Sequence, residues 1–93
     1  MVIGLLVLEL LIPEVTTLKQ RRMVINSLKD TVRNKFNVSI SDVGEEGARN
    51  QCTLAVAHVS CETKYSNQVL SKIVDHLEQS RKVLIQDYSL TFL

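Results

Sequence analysis

The segment from Val2 to Ile12 constrains this chain most: it holds eleven residues, and Glu9 is its one charge. Pro13 follows, and having no N–H it cannot continue a strand ladder. The run is too short to cross a bilayer as a helix, which takes about 20 residues. It also lacks the positively charged leader and small-residue cleavage site of a secretory signal, so a buried strand of a soluble, cytoplasmic protein is expected. Alternation puts Val2, Gly4, Leu6, Leu8, Leu10 and Ile12 on one face, and Ile3, Leu5, Val7, Glu9 and Leu11 on the other. The charge marks the odd face as the outer one, so the even face should meet the core.

The remaining pattern alternates helix and strand. Thr17 to Gln20 matches a capping box, with Thr17 as N-cap and Gln20 three residues on. The spacing predicts a helix from there to about Lys35, with Leu18, Ile25, Leu28, Val32 and Phe36 in one apolar stripe. Residues 37–43 alternate as a short strand with Val38 and Ile40 inward, and residues 44–47 (Gly-Glu-Glu-Gly) read as a turn. A second long strand is predicted over residues 50–61. A second helix over 63–79 carries Val69, Leu70, Ile73, Val74 and Leu77 as its stripe, and a last strand covers 83–92.

Ninety-three residues suit one domain, here residues 1–93. The order β-α-β-β-α-β predicts an α+β, ferredoxin-like sandwich: a four-stranded antiparallel sheet with two helices on one face and the two longest strands at its centre. In the third strand Ala55 and Ala57 allow a close approach, so the face of Thr53, Ala55, Ala57, Val59 and Cys61 is expected beneath the helices. Cys52 and Cys61 then lie on one strand roughly 30 Å apart. A disulfide needs Cα atoms within about 7 Å, so no bridge between them is expected, as suits a reducing compartment.

That parity leaves Ile3, Leu5, Val7 and Leu11, with Leu54 and Val56, on a sheet face that no helix covers. A patch this apolar on a small protein points to a homodimer interface; cover by long side chains and the termini is the plainer alternative. The same face can gather Glu9, His58 and Asp87. Two carboxylates and an imidazole are able to do acid–base work, but no nucleophile, pocket or oxyanion donor accompanies them. A polar island in a contact surface explains them as well, and no catalytic residue is assigned.

Charge is uneven although the net charge is +1. From Thr17 to Phe36 six basic residues face one acid, and the rest of the chain is net acidic. Lys19, Arg22, Asn26, Lys29 and Arg33 follow steps of three and four and fall within about 80° on the helical wheel. They extend along about 21 Å of helix, a length that can follow a phosphate backbone; a solvated, solubilising face is the plainer account. The strands at the expected sheet centre contain no Phe, Tyr or Trp, so bases are not expected to stack on the sheet as in RRM domains. No Gly-rich phosphate loop, dinucleotide fingerprint or metal-ligand spacing is present, and no metal, cofactor or membrane partner is expected. His76, at the edge of the second helix's stripe, reads as a boundary histidine.

Several stretches together resemble the bacterial YlxP-like family over nearly the whole chain. They are the opening run through Pro13, Leu18-Lys19-Gln20-Arg21-Arg22, Ser27 to Asp30, Arg33-Asn34-Lys35-Phe36-Asn37 and on to Ser39, Val43-Gly44, Leu54 to Ala57 and on to Ser60, and Val69-Leu70. The resemblance implies a ferredoxin-like fold, an uncharacterised function, and an association with translation and ribosome maturation. Two departures stand out. Val7 and Leu11 occupy positions where that family often carries polar residues, and Glu45 to Ala48 replace a hairpin that often holds an aromatic. The expectation is therefore a non-enzymatic module that touches RNA or a ribosomal particle through the first helix, or alternatively a homodimeric scaffold protein.

Overall fold

The computed structural model of the chain describes residues 1–44 and 49–93. Its elements are β1 (Val2–Leu11), α1 (Leu18–Lys35), β2 (Ser39–Asp42), β3 (Gln51–Ser60), α2 (Thr63–Glu78) and β4 (Leu84–Phe92). They form one antiparallel sheet in the order β2-β3-β1-β4. This is the split βαβ arrangement of a ferredoxin-like α+β fold, with its two longest apolar strands innermost. Beyond Gly44, the turn expected at 44–47 lies outside the described residues.

The even face of β1 is the core face: Leu6, Leu8, Leu10 and the following Ile12 are fully buried. The third strand corrects the sequence expectation. Leu8 pairs with Leu54, Leu6 with Val56 and Gly4 with His58. Directly paired residues share a sheet face, so Leu54, Val56 and Cys52 lie under the helices and are buried. Ala55 and Ala57 take the open face instead. Volume decides this, because burying a Leu or Val side chain is worth about 1.5–3 kcal/mol and an alanine much less.

The close approach expected at the alanines comes instead from Gly4. A Cβ there would lie 2.8 Å from Leu70 Cδ1 and 3.2 Å from Ser66 Cβ. Leu70 and Ser66 are themselves fully buried, so α2 settles into the notch that Gly4 leaves. Leu70, Ile73, Val74 and Leu77 complete its buried side. From α1 come Ile25, Leu28 and Val32, with Phe36 and Val38 packed at the margin. Leu18, expected in the same stripe, is exposed.

The first helix starts at Thr17, whose Oγ1 accepts from Gln20 N at 3.1 Å. The return arm of the capping box lands one residue early: Gln20 Oε1 accepts from Thr16 N at 2.8 Å and from Thr16 Oγ1 at 2.9 Å. Asn50 clamps the other side of this corner. Its Nδ2 donates to the carbonyls of Ile12 (2.8 Å) and Val15 (3.0 Å), and its own carbonyl accepts from Ile12 N at 2.8 Å.

Gly4→Ala should therefore destabilise the fold by about 1–3 kcal/mol, the usual range for overpacking a filled core. Urea unfolding followed by circular dichroism measures it; an unchanged midpoint would show that α2 does not depend on the notch.

Candidate functional site

Arg21 sits on the sheet side of α1, and its Nη1 meets Asp42 Oδ2 of β2 at 3.1 Å. Its Nε and Nη2 donate to the Gln51 carbonyl at 3.3 and 2.9 Å. Asp42 also accepts from Gly44 N at 3.1 Å through Oδ1. The cation at 21 is thus turned inward. Asp42 shares the parity of the buried Ile40, so a carboxylate on the helix-covered face of β2 was legible as needing a cation from α1.

Cys52 lies beside this pair. Its thiol is pushed up from 9.0 to about 12, first by burial, then by the negative charge of Asp42 and a hydrogen bond to it; Arg21 and Lys29 pull the other way. A thiol held neutral in this way is a poor nucleophile.

Arg33 is tied to the same strand. Its Nη2 donates to the Ile40 carbonyl at 3.0 Å, and its Nη1 lies 3.9 Å from Asp30 across one helical turn. Lys19, Arg22, Asn26 and Lys29 occupy the flank beside it. Among the described residues none of the three cations has a carboxylate within 4.0 Å. Arg22, Asn26 and Lys29, with Leu18, Ile25 and Asp42, line a shallow groove of about 470 Å³. Of the five residues expected to form a basic array, then, Arg33 is anchored to β2 and the other four lie along an accessible flank. Glu45 to Ala48, where the sequence departs from the family pattern, lie outside the described residues.

The proposed carboxylate–imidazole cluster does not form. Glu9 and Asp87 are cross-strand partners on the open face, and Glu9 Oε2 accepts from Thr53 Oγ1 at 2.8 Å. His58 faces the other way. It is 5% exposed, its Nδ1 lies 2.8 Å from Ser66 Oγ, and Ser66 Oγ lies 2.7 Å from Ser60 Oγ. Tyr65 covers the imidazole, with ring centroids 5.4 Å apart. The parity of β3 causes this separation, as it moved Leu54 and Val56 into the core. No cluster of three or more metal-ligating side chains occurs among the described residues. Among the described residues, no helix is long and apolar enough to cross a membrane.

The open face consists of Ile3, Leu5, Val7 and Leu11, all half-buried, with Ala55, Ala57 and the exposed Val59 of β3 beside them. On β4 it carries Leu84, opposite Leu11, and then Asp87, Ser89 and Thr91. It is apolar through β1 and polar toward the last strand.

A ferredoxin-like domain with one cationic helix flank and one bare sheet face is the class these observations define. Residues 3–90 match the family described as "Protein of unknown function (DUF503)", and the chain belongs to that family. It is similar to the "Uncharacterized protein YlxP" of Bacillus subtilis (strain 168), with 29% identity over 76 residues, 82% of this chain and 83% of that protein.

The two thiols should differ sharply. At pH 8 a disulfide reagent should modify the exposed Cys61 at once and the buried Cys52 only as the chain unfolds; equal rates would contradict the burial. The unfolded chain ionises Cys52 from its ordinary value of 9.0 upward while the folded chain holds the proton to about 12. Stability should therefore fall as pH rises through that window, and Cys52→Ala should remove this part of the dependence in alkaline denaturation curves.

Proposed function

We propose that this protein is a non-enzymatic binding module of the cytoplasm that docks on RNA, free or within a ribosomal particle, through the flank of α1. The observation that carries this is the run of Lys19, Arg22, Asn26 and Lys29 along one side of a rigid helix, with no carboxylate paired to its cations among the described residues. Phosphate contacts supply most of the affinity in such complexes and release counterions as they form. Lys and Arg supply the charge, and the Asn26 amide adds a donor. Arg33, held by the Ile40 carbonyl, fixes the far end of the array. Both cysteines are free, which suits a reducing compartment.

Contacts of this kind recognise backbone rather than sequence. The inner strands β1 and β3 carry no Phe, Tyr or Trp, and His58 is buried beneath the helices, so the reading involves no base stacking on the sheet. The resemblance to a family whose members tend to be encoded with translation and ribosome-maturation factors supports RNA over other polyanions.

Replacing Lys19, Arg22, Lys29 and Arg33 together by Ala should abolish salt-sensitive RNA binding. For the wild type, the logarithm of the affinity should fall with the logarithm of salt at about 0.7 per phosphate contacted on a single strand. Fluorescence anisotropy with a labelled RNA measures both, and an affinity untouched by the four substitutions would sink the proposal.

The open face favours a second reading, a scaffold that binds protein through Ile3, Leu5, Val7 and Leu11. Ala55 and Ala57 flatten that surface where Leu54 and Val56 were expected. On this second reading Val7→Lys lowers the mass seen in sedimentation, and identical profiles for the two chains would exclude it.

A further inference from the structure

The two sheet edges are finished differently. Val43 N donates to the Thr53 carbonyl, so by the alternation of an antiparallel ladder Ile40 and Asp42 turn their backbone groups away from β3. Arg33 fills the Ile40 carbonyl, and this edge is only four residues long. On β4 the phase is set by Ile3 and Leu93, which exchange both backbone bonds (3.0 and 2.8 Å). The register then runs without a break to the Glu9–Asp87 pair. Thr91, Ser89 and Asp87 therefore bond to β1, while Phe92, Leu90 and Tyr88 point their N–H and C=O groups outward. Asp87 Oδ1 accepts from Tyr88 N at 2.9 Å. Among the described residues, nothing outside the strand bonds to the outward groups of Leu90 and Phe92.

Natural proteins blunt such an edge with lysine, proline or a covering segment. The stretch Tyr88-Ser89-Leu90-Thr91-Phe92 has none of the first two. It is also a palindrome in chemical type: aromatic, hydroxyl, leucine, hydroxyl, aromatic. A strand of that kind is complementary to itself about a two-fold axis.

We propose that the outer edge of β4 takes a second copy of this chain, antiparallel, with the axis at Leu90. The two Leu90 residues exchange backbone bonds, and Phe92 N–H donates to the second copy's Tyr88 carbonyl in both directions. Tyr88 then stands opposite Phe92 on the helix-covered side, an aromatic pair of the sort that stabilises neighbouring strands. On the open side Ser89 meets Thr91. Asp87 already holds Tyr88 N–H, so that one donor joins the ladder only if the carboxylate swings away. The apolar β1 faces of both copies then lie on the same side of one continuous sheet. This surface is independent of the RNA-docking flank and of packing through the open face.

Cysteine crosslinking discriminates the geometries. In a Cys61→Ser background, Leu90→Cys should form a covalent dimer under mild oxidation, because the axis sets residue 90 against itself. Thr91→Cys should crosslink poorly, since its mate lies opposite Ser89. Packing through the open face would reverse that order and overturn the proposal. Leu90→Pro removes an N–H that the monomer does not use, so it should give a folded monomer in sedimentation at about 100 μM, while Val7→Lys stays dimeric. A wild type that is monomeric at that concentration, or a dimer untouched by Leu90→Pro, would also overturn it. Should Leu90→Pro fail to fold, the ratio of the two crosslinks still decides.

Discussion

Every surface of this molecule follows from the register in which β1 pairs with β3. Gly4 stands opposite His58, Leu6 opposite Val56 and Leu8 opposite Leu54. A slip of one residue would carry Leu54 and Val56 to the open side and turn Ala55 and Ala57 toward the helices. The hydrophobic cost of that exchange fixes the pairing. Gly4 adds a steric condition: α2 reaches the sheet only where its notch admits Leu70 and Ser66. With the register set, His58 is sealed against Ser66 on one side while Glu9 and Asp87 meet on the other.

The same register positions β2, and β2 decides which cations of α1 are free. Asp42 draws Arg21 down to the sheet, and the Ile40 carbonyl draws Arg33. These two arginines clamp the helix to the edge strand near its start and near its end. The residues between them on the adjoining flank lie on a helix tethered to β2 at both points and to β3 through Arg21. A charged array on a clamped element loses little conformational freedom when it meets phosphates, which is the advantage of a pre-organised surface.

The alternation of apolar runs, the cap at Thr17 and the stop at Pro13 were enough to read the element order and the placing of β1 and β3 at the centre. The core face of β1 was legible because Glu9 marks the other one. No charge marks a side of β3, and the small size of Ala55 and Ala57 is a weaker signal than the volume of Leu54 and Val56. That single misjudged parity explains why Leu54 and Val56 were expected at an interface and why His58 was grouped with Glu9 and Asp87. The basic array was read from helical spacing alone. Spacing already leaves Arg21 outside the array, but it says nothing of the neighbouring strand, and so it could not separate the anchored Arg33 from the accessible Lys19, Arg22 and Lys29.

The cationic flank and the open edge lie at opposite ends of the sheet, α1 clamped to β2 and the palindromic stretch on β4. Neither obstructs the other. Joining two copies at β4 gives the strand order β2-β3-β1-β4-β4-β1-β3-β2, in which the two outermost strands are about 34 Å apart at roughly 4.8 Å per strand. Each end then carries one flank, and the two-fold axis points them in opposite directions along the sheet. One RNA engaging both would gain from effective concentration rather than from new contacts. That gain requires the RNA to span the distance, so a folded particle with phosphates displayed at such a separation suits the paired molecule better than a short single strand. The bare apolar faces, brought edge to edge on one side of the same sheet, remain available to a protein component of that particle.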